Sequence, residues 1–382
     1  MEGSDMRTIT TSDKSIPVCG LPERKRLFLV DMIPIRSKRL KAVLNKLYDV
    51  RSFPDGSAAL EAMYQESPHV VVIDERTLSS KGQGIHRIKT RTESLKHIPF
   101  IILSDGAEGP LIMGDGEGAA DYFLKRPFTS NLLLEQISYS LSQSVERSWT
   151  KLPLVAQKTL QGTVDQFKSI AKAISEGTTI DMTNMRKSCA PLVSCIQSNQ
   201  CKSVLDGLRD HHNYTYVHSL RVATFLSLFG KAIGMGKEEM LMLSMGGLFH
   251  DVGKMATPQN ILNKQGKLNE EEWEMMRGHV THSQDILANM PNVNSIIRII
   301  AEQHHEKIDG TGYPLGLKNG QLNELARMAA IVDIFSALTD RRAYKVAYSA
   351  SIAFRMIEEM GPALDQRFVR TFQDALSGDD YV

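Results

Sequence analysis

The chain is poor in cysteine, has almost no net charge, and lacks any long hydrophobic run. Its 382 residues include four cysteines, Cys19, Cys189, Cys195 and Cys201. The last three are spaced by six, which matches no common zinc spacing. With no export signal they read as free thiols and not as a disulfide framework. Lys and Arg number 45 against 44 Asp and Glu, a formal charge of +1. Nothing global therefore draws the chain to DNA or to an anionic membrane. No apolar run is long enough to span a bilayer. The start of the chain is polar and lacks the apolar core of a signal peptide, so a cytoplasmic location is expected. Apolar and charged fractions of 42% and 23% are ordinary for a soluble globular protein. The length exceeds one domain of roughly 100–200 residues.

The pattern changes along the chain. Residues 1–24 read as a flexible leader. Leu27-Phe28-Leu29-Val30, Val70-Val71-Val72-Ile73 and Phe100-Ile101-Ile102-Leu103 are short apolar runs, followed by Asp31, Asp74 and Ser104. Such runs suit buried parallel strands. Helix-like stretches such as Ser57 to Tyr64 lie between them, so residues 25–145 predict an α/β sheet. Beyond this no strand signal remains. Residues 146–210 read as a helical linker and the start of a helical domain, and 211–382 as an all-α domain. Val222, Phe225, Leu226, Phe229 and Ile233 follow helical spacing, as do Leu241, Met245 and Leu248. Trp273, Met276, Val280 and Leu287 predict one further helix, Ile297, Ile300 and His304 another, and Met328, Ile331, Val332 and Phe335 another.

The chemistry-bearing side chains gather in this helical half. They are His250-Asp251 followed by Gly253-Lys254, and His304-His305-Glu306 followed by Asp309-Gly310-Thr311-Gly312-Tyr313-Pro314. His218, His279 and Asp333 are more isolated. One histidine on a helix is ordinarily a surface or hydrogen-bonded residue. Imidazoles and carboxylates recurring on several apolar helices are different, because unpaired polar groups there are costly. This ligand set suits first-row divalent metals, and a carboxylate bridging two metals suits phosphodiester cleavage. His282, one turn from His279, is read as a non-ligand, and His211 and His212 as a solvated helix start.

The segment from His211 to Ala375 resembles the HD-GYP family of cyclic di-GMP phosphodiesterases. The resemblance rests on Tyr214 to Ser219, His250 to Lys254, Ile261 to Lys264, His304-His305-Glu306, Asp309 to Pro314, Val332 to Phe335, and Arg342 to Lys345. It implies that His218, His250, Asp251, His279, His304, His305 and Asp333 ligate two divalent metals, with Asp251 bridging them. Iron is favoured, with manganese, nickel or zinc as alternatives. Asp251 and Lys254 would be catalytic, and Lys254, Tyr313, Arg342 and Lys345 would hold the dinucleotide. Tyr214 stands where some members have a glutamate for a third metal, so two metals are expected. Ser336 and Ala343 replace a frequent aspartate and proline. The implied activity is hydrolysis of cyclic di-GMP to linear pGpG, or further to GMP. The alternatives are a catalytically weak cyclic di-GMP sensor or docking module, and an HD enzyme for another nucleotide.

Residues 25–145 resemble a response-regulator receiver domain of flavodoxin-like fold. The resemblance makes Asp74 the phospho-acceptor, Ser104 the partner hydroxyl, and either Lys125 or Arg126 the conserved lysine. Asp31 is followed by Met32 where two acids are usual, which thins the magnesium site. The same fold used only for docking or dimerisation is the other reading. Implied partners are a histidine kinase, a GGDEF-type or other signalling protein, and a second copy of the chain.

Overall fold

A computed structural model describes residues 24–77, 89, 91–106, 122–262, 264, 266–340 and 347–377. The expected leader, Cys19, Arg342 and Lys345 lie outside these residues. Among the described residues the chain forms two compact units, one of 22–148 with 210–213, the other of 149–209 with the chain from 214 onward.

The first unit contains β1 (Arg26–Val30), α1 (Pro34–Leu44), β2 (Asp49–Phe53), α2 (Gly56–Gln65), β3 (Val70–Asp74), β4 (Phe100–Ser104), β5 (Tyr122–Lys125) and α3 (Ser130–Ser148). All strand pairs are parallel, in the order β2-β1-β3-β4-β5. This is the flavodoxin-like order. Successive residues of a strand face opposite sides, which is why the apolar runs are continuous. Leu27, Leu29, Val70, Val72, Ile101 and Leu103 feed one core, and Phe28, Val30, Val71, Ile73, Phe100 and Ile102 the other. Asp55 caps α2 by accepting the Ser57 and Ala58 N–H groups at 2.9 Å. The strand order sets Asp31, Asp74 and Ser104 side by side at the carboxyl edge.

The second unit is helical: α4 (Leu154–Glu176), α5 (Met182–Gln197), α6 (Lys202–Leu208), α7 (Tyr214–Ala232), α8 (Lys237–Phe249), α9 (Gln259–Leu262), α10 (Glu270–Arg277), α11 (His279–Ala288), α12 (Ser295–Gln303), α13 (Glu324–Thr339), α14 (Ala350–Glu359) and α15 (Gln366–Leu376). Helix α7 is its axis, with every residue from Tyr216 to Gly230 buried. Phe225, Phe229, Phe335, Phe354 and Phe372 form an aromatic cluster that ties α7 to α13, α14 and α15. Residues 149–209 belong to this unit. The Tyr216 hydroxyl donates to the Leu160 carbonyl at 3.1 Å, and the Phe167 and Tyr216 rings lie 5.6 Å apart.

Two expectations change. The single helix expected from Trp273 to Leu287 is two, α10 and α11, separated at Gly278. A residue without a Cβ is the poorest helix former after proline, and the break makes His279 the first residue of a helix. His211 is not solvated. It is buried, with Nε2 3.2 Å from a Glu146 carboxylate oxygen. Burial also pushes the His212 imidazole down to about 4.

Candidate metal centre

The side chains that converge come from five places in the helical unit. His218 lies in the second turn of α7, and Asp333 in the third turn of α13. The others lie at helix ends: His250 caps the C-terminus of α8, Asp251 follows it, His279 opens α11, and His304 caps the C-terminus of α12 before His305. At such ends the chain turns, and adjacent side chains point into a shared space. All are buried except His305, which is part-exposed.

Asp251 divides its two oxygens between two groups. Oδ2 lies 3.5 Å from His218 Nε2 and 3.2 Å from His250 Nε2. Oδ1 lies 3.2 Å from His279 Nε2 and 3.8 Å from His304 Nε2. The two sets with metal-ligand spacing are His218, His250 and Asp251, and Asp251, His279, His304 and His305. Asp333 spans both, with Oδ1 2.9 Å from His218 Nε2 and Oδ2 3.7 Å from His305 Nδ1. All seven residues expected as ligands are thus gathered. His282 is in neither set.

The imidazoles are aimed from behind. His250 Nδ1 lies 2.7 Å from the Gly247 carbonyl, His279 Nδ1 2.6 Å from the Met276 carbonyl, and His304 Nδ1 3.1 Å from the Ala301 carbonyl. Donation there fixes the ring orientation and turns Nε2 toward the centre. Ser283 adds a second support, accepting the Gly253 N–H at 2.9 Å and donating to the His250 carbonyl at 3.3 Å. Gly253 is required by packing, since a Cβ there would fall 1.9 Å from the His279 carbonyl oxygen.

The residues fit a cation. Asp251 Oδ1 is buried and accepts no hydrogen bond, an expensive arrangement for a carboxylate oxygen. Burial pushes His304 down to about 3 and also lowers His305 and His218, so these imidazoles are neutral donors. His250 differs: burial opposes its charge, but Asp251 and Asp333 outweigh it and push it up to about 9. Burial likewise opposes ionisation of both carboxylates. His250 and Lys254 nevertheless hold Asp251, and His218 and His250 hold Asp333, well below the usual carboxylate range. A divalent cation entering here would displace the His250 proton.

The loop after His305 is held against the centre. Tyr313 stacks on His305 with ring centroids 4.6 Å apart, and its N–H donates to the His305 carbonyl at 3.1 Å. Gly312 approaches so closely that a Cβ would lie 2.5 Å from Glu306 Cα. Glu306, fully buried, accepts the Leu315 N–H at 2.6 Å and the Leu317 N–H at 2.9 Å. Lys254 pairs with Asp251. Sequence reasoning gave no role to Ser283, to Glu306 or to Arg277, whose guanidinium lies 5.3 Å from the Tyr313 ring centroid. Glu306 was visible within its motif, but its two backbone acceptor roles were not. Tyr214 stacks near His218, with centroids 5.8 Å apart, and offers no carboxylate. Ser336 Oγ lies 3.5 Å from His218 Nδ1.

In the sheet unit, Asp74 is buried at the end of β3, with Asp31 and Ser104 buried at the neighbouring strand ends. Lys125 is exposed. Arg126 reaches Asp74 instead, with Nη2 2.7 Å from Oδ2.

A family model described as an HD domain matches residues 202–367. The chain is 36% identical over 169 residues to the cyclic di-GMP phosphodiesterase PA4108 of Pseudomonas aeruginosa, covering 44% of this chain and 41% of that one. It is 33% identical over 165 residues to the 3'3'-cGAMP-specific phosphodiesterase 3 of Vibrio cholerae, covering 43% and 36%. This chain therefore spans less than half the length of either relative. The cyclic di-GMP phosphodiesterase response regulator RpfG of Xanthomonas campestris pv. campestris matches more of it, 26% identical over 327 residues, or 85% and 79% of the two chains. Among solved structures, Bd1817, a HDG"Y"P protein from Bdellovibrio bacteriovorus, aligns with a TM-score of 0.50 at 16% identity, covering 66% of this chain and 82% of that one. At that identity the likeness is one of fold. Among the described residues, no helix is long and apolar enough to cross a membrane.

Proposed function

We propose that the HD-like segment is a metal-dependent phosphodiesterase that hydrolyses cyclic di-GMP to linear pGpG, or further to GMP. The observation that carries this is Asp251, whose two oxygens face two separate histidine groups. His218, His250 and Asp333 would hold one metal, and His279, His304 and His305 the other, with Asp251 shared. Iron is the favoured ion, then manganese, nickel or zinc, which this ligand set also accepts. Tyr214 leaves no carboxylate for a third. The metal pair would supply Lewis-acid activation of the phosphodiester and of water.

The chain's own residues do the rest. Lys254, held by Asp251, offers a cation and a proton to the phosphate. Tyr313, set by His305 and Glu306, presents an aromatic face and a hydroxyl to the dinucleotide. Arg342 and Lys345 lie outside the described residues, and the family resemblance supports their grip on phosphate. The PA4108 and RpfG relatives bear the cyclic di-GMP name. A second reading, 3'3'-cGAMP as substrate, is favoured by three relatives of that named specificity at 33–40% identity. The test is chromatography of products from each nucleotide, with protein loaded with iron or manganese. Turnover of cyclic di-GMP above 3'3'-cGAMP is expected, and the reverse order would select the second reading. No turnover of either would leave a sensor or docking module.

A further inference from the structure

The acidic corner of the sheet unit already contains a cation made by the chain. Arg36, on α1, reaches over the ends of β1 and β3. Its Nε lies 2.8 Å from Asp31 Oδ2, and its Nη2 2.9 Å from Asp31 Oδ1 and 2.6 Å from Asp74 Oδ2. Arg126 Nη2 takes the same Asp74 Oδ2 at 2.7 Å. Asp74 Oδ1 accepts the Arg76 N–H at 2.9 Å and Arg76 Nε at 3.1 Å. Both carboxylates are thus buried under guanidinium groups, and all four of their oxygens accept charge-assisted bonds.

A receiver of this topology is expected to hold magnesium, and these residues do not fit it. Magnesium demands near-octahedral oxygen ligands at about 2.0–2.1 Å and gives up its waters reluctantly. Asp31 and Asp74 face Arg36 along the edge where that ion would need them, and the Met32 side chain offers no oxygen. The Ser104 hydroxyl, expected to hold an incoming phosphoryl group, donates instead to Glu75. The Asp74 oxygens that would attack phosphorus have their lone pairs engaged by Arg36, Arg76 and Arg126.

We propose that Arg36 replaces the divalent cation of the receiver fold, cross-linking Asp31 to Asp74 so that the sheet unit neither binds magnesium nor accepts a phosphoryl group at Asp74. The bidentate bond to Asp31 gives the guanidinium a fixed orientation that a lysine could not match. It also ties the start of α1 to the ends of β1 and β3, the place where a bound ion would otherwise act.

The test uses the full-length protein with magnesium and beryllium fluoride, followed by fluorine NMR. An adduct at this corner is defined as a resonance that disappears in Asp74→Asn. Wild type is expected to give none, and Arg36→Ala to gain one. An adduct in wild type would overturn the proposal, as would its absence in Arg36→Ala shown by circular dichroism to be folded. Should Arg36→Ala not fold, Arg36→Gln carries the same expectation. A third arm, Met32→Asp, restores the missing acid on an exposed side chain and leaves Arg36 in place. It is expected to stay silent. A resonance there would mean that the lost acid, and not Arg36, keeps the ion out.

Discussion

Asp251 approaches four of the five imidazoles, two on each oxygen. It is fully buried, one oxygen accepts nothing from the protein, and the other faces two imidazoles and Lys254. Removing it leaves Asp333, which contacts His218, His250 and His305, as the remaining carboxylate among the imidazoles. Asp251→Ala is expected to lose both metals and all hydrolysis, as read by elemental analysis of the purified variant beside an activity assay. Retention of two metals per chain would remove Asp251 from the bridging role. Glu306 acts one step further out, because its carboxylate shapes the Tyr313 loop without reaching the metal groups. In Glu306→Gln one acceptor oxygen becomes an NH2 group facing a backbone N–H. A hydrogen bond to a charged group is worth about 1.5–3 kcal/mol. The Kd for cyclic di-GMP should therefore rise by about tenfold or more in calorimetry, with metal content unchanged. Loss of metal in that variant would place Glu306 in the centre's support.

At the scale of elements, the centre depends on helix ends meeting. The turn after α8 and the start of α11 touch at Gly253, whose N–H reaches Ser283 and whose missing Cβ admits the His279 carbonyl. Gly253→Ala forces these two segments apart, and overpacking of this kind costs about 1–3 kcal/mol. A lowered melting temperature together with weakened metal binding is the expected result. A variant with both unchanged would show that the turn relaxes freely. The sequence displayed β1, β3 and β4, because buried parallel strands read as unbroken apolar runs, but not the edge strands β2 and β5, which are less buried and carry charged residues. It displayed the side chains that converge at the candidate centre too, since polar residues on apolar helices stand out. It hid what depends on chain reversal. Gly278 splits a stretch whose apolar spacing continues through it, and the burial of His211 depends on Glu146, 65 positions away. Arg36 was invisible for a similar reason, as nothing in a surface-looking Pro-Ile-Arg-Ser stretch announces two carboxylates that come together only when β1 and β3 pair.

At the scale of the molecule, the two units have different needs. The helical unit gathers the seven candidate ligands into a cluster that is costly to bury without a cation. The sheet unit balances its own acids with arginines. A ligand that binds only the folded state stabilises it by RT ln(1 + [L]/Kd), about 4.1 kcal/mol at a thousandfold excess over Kd. Metal removal should therefore destabilise the helical unit alone. The chain provides a way to see this, because its two tryptophans, Trp149 and Trp273, both lie in the helical unit. Tryptophan fluorescence reports melting of that unit, while far-ultraviolet circular dichroism reports both. Stripping metal with a chelator is expected to move the fluorescence transition to lower temperature by several degrees and to leave behind a second dichroism transition that does not shift. Adding back iron or manganese should restore the fluorescence transition, whereas magnesium, which prefers carboxylate, carbonyl and water oxygens to imidazole, should move neither. A fluorescence transition indifferent to the chelator would mean that the histidine cluster is stable without metal, and the assignment of the seven residues as ligands would fail with it.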